Sequence, residues 1–415
     1  MSSPARESAV ETDKPKRILL IAPACDGEDV GEAWLAFQWV SLLADRYDVT
    51  VISSYKKGHT PLSAQLPRVR VVEWPEPSGV HRLERLNSLM QPGYGRFYRR
   101  CRRWIKDHLA TGECFDLAHQ VVPVAMRYPS PASGLGIPLV LGPVGGSLNS
   151  PPAFVNEEGA TPWWQRLRRL DAWRLRHDPL LRRTYEKSAC VVGIAPYVRD
   201  ILAPLNLTRL EFISDVAVHA LPPTLDRTSV IQPGPTRVLF VGRVIRTKGV
   251  RDLIRAFGEL KDLNIRLDIL GDGNDRGACI DLVQTCGEEA RITFHGRVPR
   301  EQVDDFYRSA DIFAFPSYRE PGGSVVLEAM SYGLPVIVCG RGGPGTNVSG
   351  ECAIRLDANS PEQLARDCAA AIRTLVQDSE LRLKMGEAAR EHVARHHLWS
   401  MRIESLTQIY RGVWR

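Results

Sequence analysis

Short apolar runs alternate with helical segments along this chain, and the alternation occurs twice. The first run, residues 17–23 (RILLIAP), is followed by a loop at 24–31, a helical segment at 32–44 and a second apolar run at 48–53. Apolar runs of this length that end in loop residues are typical of buried parallel strands. Strand–helix–strand units of this kind build α/β sheets. Further strands are predicted at 69–72, 117–122, 138–142, 190–194 and 211–213.

A proline-rich segment at residues 221–236 (LPPTLDRTSVIQPGPT) interrupts this pattern and predicts an interdomain linker. The alternation then resumes, with strands predicted at 237–242, 266–271, 292–296, 312–316 and 335–339, and helices at 249–260, 274–287, 300–309, 361–376, 381–394 and 399–413. We therefore expect two Rossmann-like β/α domains that face a central cleft, where open α/β sheets bind ligands. The predicted bounds are a disordered leader at 1–16, a first domain at 17–220, a second domain at 237–397, and a final helix at 398–415 that packs on the first domain.

The composition is that of a globular protein, and it excludes several classes of function. A net charge of +6 over 415 residues suits anionic ligands but is too small to indicate a nucleic-acid partner. Nine cysteines with no C-x-x-C pair predict neither disulfides nor a zinc site and are typical of a reduced, cytoplasmic protein. No run of about 18 apolar residues exists, so no membrane-spanning helix is predicted. The polar leader lacks the apolar core of a secretion signal.

The segment 315–338 (FPSYREPGGSVVLEAMSYGLPVIV) places two carboxylates around a glycine turn. Glu320 precedes the turn at Gly322 and Gly323, and Glu328 lies in the short helix predicted after it, about 7 Å along the helix axis. A helix N-terminus presents unpaired N–H groups and the positive end of its dipole, which suit a phosphate. Glycines let a ligand approach the backbone. The two carboxylates could therefore hold hydroxyl groups at the two ends of a sugar nucleotide.

Three other predicted strand ends in the second half carry small or charged residues. They are Gly242-Arg243 with Lys248 shortly after, Gly271-Asp272-Gly273, and His295-Gly296-Arg297-Val298. Parallel strands end at the same edge of a sheet, so these loops should converge with the turn at 317–323. Each feature alone has a simpler interpretation, since a solvated charge, a tight turn and a loop histidine are all common. Their joint occurrence at successive strand ends favours an anion site.

The strings FVGRVIRTKGV, LGDG, FHGRV and the segment 315–338 resemble the nucleotide-sugar half of the family-four retaining glycosyltransferases (glycosyl transferases group 1), which have the GT-B fold. The resemblance covers residues 236–395. It implies that Arg243 and Lys248 bind the diphosphate of a UDP- or GDP-sugar, that Glu320 contacts the donor sugar, and that Glu328 holds the ribose. The implied donor-binding set is completed by Gly31, Gly242, Gly271, Arg297, Val298, Gly322, Gly323 and Ser324.

The resemblance also implies the reaction, which is transfer of a hexosyl-type sugar to an acceptor hydroxyl with retention of configuration. Arg243, Lys248 and the helix N-terminus after Gly323 would stabilise the leaving diphosphate, so we expect no metal requirement. Glu320 is interpreted as a catalytic carboxylate that positions the sugar. Three alternatives stay open: a GT-B sugar-nucleotide 2-epimerase, a non-catalytic partner subunit with the same fold, and transfer to a small natural product.

The first half departs from the family pattern. Many relatives carry a histidine directly after the strand predicted at 138–142, but this chain has LGPVGG at 141–146. His119, at the end of an earlier predicted strand, is the candidate replacement among the catalytic residues, and a capping role at that strand end is the structural alternative. The turn at Gly145-Gly146 is predicted to be an acceptor or donor loop. A dinucleotide site is excluded, because no G-x-G-x-x-G follows the first strand.

Two stretches are both basic and aromatic, at residues 95–109 (GRFYRRCRRWIKDHL) and 163–187 (WWQRLRRLDAWRLRHDPLLRRTYEK). Helices of this composition can lie on an anionic membrane surface. A solvated helical face that covers the acceptor cleft is the alternative. Membrane contact would suit a lipid-linked acceptor in cell-surface polysaccharide synthesis, on the inner face of the cell membrane, and a small-molecule acceptor would need none.

Overall fold

The computed structural model describes residues 15–56, 58–76, 93–159, 169–225 and 234–414, and it contains two β-sheets. The strands are β1 (Arg17–Ile21), β2 (Asp48–Tyr55), β3 (Arg70–Pro75), β4 (Leu117–Gln120), β5 (Leu139–Val144), β6 (Cys190–Gly193), β7 (Leu210–Phe212), β8 (Thr236–Val241), β9 (Ile265–Leu270), β10 (Ile292–Gly296), β11 (Ile312–Phe315), β12 (Val336–Cys339) and β13 (Ala353–Leu356). Three predicted features lie partly outside the described residues: residues 1–14 of the leader predicted at 1–16, residues 226–233 of the linker predicted at 221–236, and residues 163–168 of the second basic stretch.

The helices connect these strands, as an α/β fold requires. They are α1 (Glu32–Ala44), α2 (Leu62–Gln65), α3 (Tyr94–Ala110), α4 (Arg169–His177), α5 (Pro179–Glu186), α6 (Val198–Leu202), α7 (Val250–Gly258), α8 (Arg276–Cys286), α9 (Arg300–Ser309), α10 (Ser324–Ser331), α11 (Gly342–Thr346), α12 (Pro361–Gln377), α13 (Ser379–His396) and α14 (Trp399–Val413). Two 3₁₀ segments, Pro152–Glu158 and Arg246–Lys248, also matter for the site. Within the described ranges, no helix is both long and apolar enough to cross a membrane.

The first sheet has seven strands in the order β3-β2-β1-β4-β5-β6-β7. The pairings β1·β2, β1·β4, β2·β3 and β6·β7 are parallel. Strand β1 is the apolar run that opens the chain, and Ile18 to Ile21 are completely buried. Burial of both faces explains why this strand is a continuous apolar run and does not alternate with polar residues.

The second sheet has six strands in the order β10-β9-β8-β11-β12-β13. All five neighbouring pairs are parallel. Its core includes the fully buried side chains of Phe240, Phe257 and Phe313. Helices α12 and α13 begin at side-chain caps, where Ser360 accepts a hydrogen bond from the amide of Gln363 (3.2 Å) and Asp378 accepts one from the amide of Leu381 (2.8 Å).

The chain divides into two compact units, and each is described by itself. Unit 1 comprises Met1–Val122, Ser130–Val140 and Trp414, and unit 2 comprises Pro123–Pro129, Leu141–Val413 and Arg415. In unit 1 the indole of Trp414 donates a hydrogen bond to the carbonyl of Asp116 (3.3 Å), and its ring lies 5.9 Å from that of Tyr47. The predicted domain bounds, and the packing predicted for residues 398–415, stay predictions.

One predicted strand end in the first half was wrong. Strand β5 does not stop at Gly142 but continues to Val144, whose carbonyl accepts a hydrogen bond from the amide of Ile194 (2.9 Å). The loop predicted at 142–146 therefore begins only after Val144. The pairing of strand β4 continues beyond His119, in agreement with the run predicted at 117–122, because the amide of Val121 still donates to the carbonyl of Ile21 (3.2 Å). His119 thus lies inside the strand.

Candidate functional site

The loops after β8, β9, β10 and β11 lie at one edge of the second sheet, as predicted. These four strands are neighbours and parallel, so their carboxyl ends share an edge. Three hydrogen bonds join the loops: the amide of Gly242 to the carbonyl of Leu270 (2.9 Å), the amide of Gly271 to the carbonyl of Gly296 (2.7 Å), and the hydroxyl of Ser317 to the carbonyl of Thr247 (3.0 Å).

Gly271 shows why small residues stand at these strand ends. Its φ of +127° lies outside the range that side chains favour, and a Cβ there would lie 1.9 Å from the carbonyl oxygen of Gly242. Any larger residue would force the loops after β8 and β9 apart. The glycines predicted as donor-binding at positions 242 and 271 therefore have at least a structural role in closing this edge.

The loop after β8 brings Lys248 against Glu320, which follows β11. The 3₁₀ segment Arg246–Lys248 turns the lysine inward, and its ammonium contacts the carboxylate of Glu320 directly. Burial, together with the nearby cations Arg243 and Arg319, lowers the pKa of Lys248 to about 7. The Glu320 carboxylate supplies the opposite charge that this buried cation needs. Two residues predicted separately from the sequence thus form one pair.

Arg243 and Arg297 lie at the same edge with exposed side chains. Neither makes an ion pair or a side-chain hydrogen bond within the described part of the chain. Their guanidinium groups are therefore available to an anionic ligand, since nothing in the described structure competes for them. Val298, predicted beside Arg297 at the nucleotide base, is partly buried and packs on the core of the second sheet.

The donor turn, which we define as residues 317–323, leads directly into α10. Gly323 has a φ of +81° and precedes Ser324, the exposed first residue of the helix. The carbonyl of Gly322 accepts a hydrogen bond from the side-chain amide of Asn347 (3.3 Å). The amides at the start of an α-helix lack partners within the helix, so a helix N-terminus lies where the sequence predicts one, and the binding of an anion there stays a prediction.

Glu328 lies in α10 and is held by two residues of α9. Arg300 donates a hydrogen bond to its carboxylate (2.6 Å), and the Tyr307 hydroxyl lies 3.2 Å from the same oxygen. Burial raises the pKa of Tyr307, and the negative charge of Glu328 raises it further, so this hydroxyl stays protonated and donates. The carboxylate predicted to hold the ribose is thus oriented by its neighbours, and its side chain is 18% exposed.

Gly31 and His119 belong to unit 1, and they differ in exposure. Gly31 is exposed, has a φ of +68° and precedes α1, with no atom within 4 Å of the position of a Cβ. The backbone at Gly31 is therefore accessible, and the contact with a donor that the resemblance implies for it stays a prediction. His119 is completely buried, and its Cα pairs with that of Leu20 in the sheet. Such burial favours a structural histidine over the catalytic role weighed for it.

One group of side chains in unit 1 has metal-ligand chemistry. Ligand atoms of Asp26, Glu28 and His59 lie within 4.8 Å of one another. Both oxygens of Asp26 already accept hydrogen bonds, from the amide of Glu28 and the side chains of Gln65 and His59. Those of Glu28 accept from the amide and hydroxyl of Thr60. These hydrogen bonds account for the grouping, so it does not indicate a cation.

A buried ion cluster beside the site was missed from the sequence. Arg246 donates two hydrogen bonds to Asp252 (2.5 and 2.9 Å) and pairs with Glu157 (2.9 Å). Arg255 contacts both of these carboxylates. Arg246 is only two residues from Lys248, so the cluster fixes the turn that presents the lysine. Its only sequence signal is the i,i+6 spacing of Arg246 and Asp252 around Gly249, which is too common to be diagnostic.

Comparison with known sequences agrees with the motifs. Residues 223–392 match the sequence model of the family Glycosyl transferases group 1. A D-inositol 3-phosphate glycosyltransferase of Corynebacterium glutamicum is 37% identical over 182 residues, which is 42% of this chain and 42% of that relative. One of Rhodococcus opacus is 33% identical over 248 residues, 56% of this chain and 53% of the relative. The chain thus matches about half the length of these curated relatives.

Comparison with solved structures extends over nearly the whole chain. A sucrose-phosphate synthase of Thermosynechococcus elongatus has a TM-score of 0.66 at 20% identity, covering 96% of this chain and 99% of that one. The Anabaena protein HepE, solved with UDP, has a TM-score of 0.64 at 15% identity, covering 96% and 100%. At such low identity these likenesses establish the fold alone. The chain therefore has the GT-B fold, with two parallel α/β sheets, and residues 223–392 of its second half match the glycosyl transferases group 1 family.

Proposed function

We propose that this protein is a retaining glycosyltransferase that moves a sugar from a nucleoside diphosphate to an acceptor hydroxyl. The contact between Lys248 and Glu320 carries the proposal, because it places a cation for a phosphate beside a carboxylate for a sugar hydroxyl. Arg243 and Lys248 both follow strand β8, and helix α10 begins shortly after Glu320. Together they supply two cations, a helix N-terminus and a sugar-binding carboxylate.

This arrangement suits cleavage of a glycosyl–phosphate bond. As that bond breaks, negative charge develops on the leaving diphosphate, and groups held in place beforehand stabilise it most effectively. Arg243 and Lys248 would bind that charge, and the amides at Gly323 and Ser324 would add to it. Glu320 would hold the sugar as it gains positive charge. Retention of configuration comes from the family resemblance, in which the departing phosphate helps to take up the acceptor proton.

The proposed donor is a UDP- or GDP-sugar, bound without a metal. The solved Anabaena neighbour is described in complex with UDP and with UDP-glucose, which supports a uridine nucleotide. Cations from the chain itself, Arg243 and Lys248, would take the place that a divalent ion has in other sugar-nucleotide enzymes. No nucleic-acid partner is proposed.

Two classes of acceptor stand open, and an observation supports each. The curated relatives are D-inositol 3-phosphate glycosyltransferases, which favours a small polyol phosphate.

A lipid-linked acceptor is favoured by the basic helices. Five cations of α3 are exposed, and α4 and α5 expose Leu170, Trp173 and Leu180 among arginines. The aromatic residues Tyr94 and Phe97 of α3 face the protein interior, so the membrane contact proposed for α3 is electrostatic. The protein would then be cytoplasmic and peripheral on the inner face of the membrane.

Product analysis by proton NMR tests the proposed reaction. Wild-type protein with a panel of UDP- and GDP-sugars should release the nucleoside diphosphate by hydrolysis or transfer, and the anomeric signal of the product should show retention. Glu320→Gln and Arg243→Ala should abolish turnover while circular dichroism shows an intact fold. Formation of a 2-epimer would instead establish the epimerase alternative. Near-normal turnover in either folded variant would refute the site assignment.

A further inference from the structure

A short segment between β5 and α4, residues 149–158, packs against the loops that carry the donor site, and we call it the strap. It contains the 3₁₀ segment Pro152–Glu158 and anchors itself with Phe154, which is completely buried in the core of the second sheet. The ring of Phe154 lies 4.2 Å from that of Tyr318 and 5.4 Å from the guanidinium of Arg246. The strap is therefore a fixed part of unit 2.

The strap contacts both residues that immediately precede Glu320. Arg319 donates hydrogen bonds to the hydroxyl of Ser150 (3.0 Å) and to the carboxylate of Glu158 (3.2 Å). Arg341 bridges the carbonyls of Tyr318 (3.2 Å) and of Asn149 (2.9 Å). The strap thus holds the side chain of Arg319 directly, and Arg341 links the strap to the carbonyl of Tyr318.

The backbone of Glu320 itself is held by the loop after β12. The amide of Gly343 donates to the carbonyl of Glu320 (3.1 Å). Gly342 has a φ of +61°, and a Cβ there would lie 2.0 Å from the same carbonyl oxygen. The backbone at Glu320 therefore has close neighbours on both sides, and the direction of its carboxylate depends on where they hold it.

Glu158 is the most unusual residue of the strap. Its side chain is 8% exposed, and its second oxygen, Oε1, is buried with no hydrogen-bond partner among the described residues. An acceptor left unpaired in the interior costs stability, and such groups call for an explanation beyond packing. The other oxygen of this carboxylate holds the guanidinium of Arg319 at the strap.

We propose that Arg319, held by Ser150 and Glu158, is a positioning residue that sets Glu320 for contact with the donor sugar. The donor sugar named in this proposal rests on the proposed function, whereas the contact between Arg319 and the strap does not depend on it. In this proposal Arg319 acts through the backbone of its neighbour Glu320, because its own guanidinium is held by Ser150 and Glu158. Loss of its partners should therefore affect recognition of the sugar and leave binding of the nucleotide unchanged.

The test uses the full chain with Ser150→Ala and Glu158→Gln combined, and Glu391→Gln as the matched control. Glu391 also pairs with an arginine, Arg395, but in the exposed part of α13. Hydrogen exchange should accelerate in peptides that cover the donor turn and in no other part of the second sheet. Calorimetry should show UDP affinity unchanged and UDP-glucose affinity reduced about 10-fold, the size of effect expected when one charged hydrogen bond is lost. Glu158→Asp should restore part of the loss, and the control should match wild type.

Three results have distinct meanings. Unchanged exchange in the donor turn would overturn the positioning role, whatever ligand the protein binds. Equal loss of UDP and UDP-glucose affinity would also overturn it, because the strap would then support the whole site and not the sugar contact. Failure of wild-type protein to bind any nucleotide would count against the proposed function instead, and the exchange measurement would still decide the role of the strap.

Discussion

At the scale of single residues, the candidate site consists of groups that are charged before any ligand arrives. Lys248 contacts Glu320, and Arg300 contacts Glu328, so each of the two carboxylates already has a cation beside it. A bound sugar nucleotide would replace these partners, because its diphosphate can pair with Lys248 and its hydroxyl groups can donate hydrogen bonds to the carboxylates. The site is therefore preorganised, and binding exchanges one set of polar contacts for another.

Lys248 gives a prediction about pH. Burial and the neighbouring arginines lower its pKa to about 7, so the ammonium loses its proton as the pH rises through that value. Only the ammonium form attracts a diphosphate, so UDP affinity should fall as the pH rises above about 7. Bound diphosphate should also raise the pKa of Lys248, so binding should take up protons. Calorimetry at several pH values, in buffers of different ionisation enthalpy, measures both effects.

Lys248→Arg provides the control, because arginine stays protonated throughout this range. Its UDP affinity should show a flatter pH profile than that of wild type. An unchanged profile in the variant would assign the pH dependence to another group.

Sequence reasoning selected Glu320, Arg243 and Lys248 as charged residues near predicted strand ends, and Glu328 in the helix predicted after the turn, and their ligand-binding roles stay predictions. It could not identify Arg319 or Arg341, whose partners lie in the strap far away in the chain. Long-range side-chain contacts leave no local pattern. His119 shows the opposite error, since a histidine near a predicted strand end proved to be completely buried inside the strand.

At the scale of elements, the turn that presents Lys248 depends on a buried ion pair. Arg246 is 4% exposed and Asp252 is completely buried, and the pair ties the 3₁₀ turn to the first turn of α7. Removing one partner of such a pair leaves an uncompensated charge. Asp252→Ala should therefore lower the free energy of unfolding by about 3–5 kcal/mol, as measured by urea denaturation.

Asp262→Asn is the matched control for that prediction. Its ion pair with Arg373 is exposed to solvent, so its loss should leave the urea midpoint almost unchanged. Equal small effects of the two substitutions would show that the buried cluster does not stabilise the turn.

Most strands and helices could be predicted, because strong apolar runs and helical periodicity mark them. Strand β10 and helix α9 have the predicted bounds. Helix α11 was missed because its sequence, GGPGT, is that of a loop, and only packing against the donor turn makes it helical. Strand β13 was missed because it is a short edge strand with an arginine in the middle, which weakens the apolar pattern.

At the scale of the whole molecule, the restart of the strand–helix alternation after a proline-rich segment was enough to predict two parallel sheets. The alternation was not enough to predict binding partners, because these depend on which side chains are exposed at the surface. The second basic stretch exposes Trp173, at 58%, and Leu170, at 50%. Exposed apolar side chains among cations are typical of helices that bind an anionic membrane surface.

Vesicle cosedimentation tests this surface. Wild-type protein should pellet with phosphatidylglycerol vesicles and not with phosphatidylcholine vesicles at low salt, and Trp173→Ala should pellet less. Val155→Ala, which also changes an exposed apolar residue, should behave as wild type. No cosedimentation of wild-type protein at low salt would exclude the membrane contact and favour the small-molecule acceptor.

Metal dependence is also a property of the whole enzyme. Because chain cations are proposed to neutralise the diphosphate, turnover of the donor should be unaffected by EDTA and by added Mg²⁺. Loss of turnover on chelation, restored by Mg²⁺, would contradict that proposal.

The central claim is that the strand ends of the second sheet bind the diphosphate of a sugar nucleotide, and titration calorimetry tests it most directly. Wild-type protein should bind UDP or GDP, and Lys248→Met should bind the same nucleotide at least about 10-fold more weakly, the loss expected for one charged hydrogen bond. Circular dichroism must show both proteins folded. Equal affinity in the two proteins, or no binding of either nucleotide to wild type, would contradict the claim.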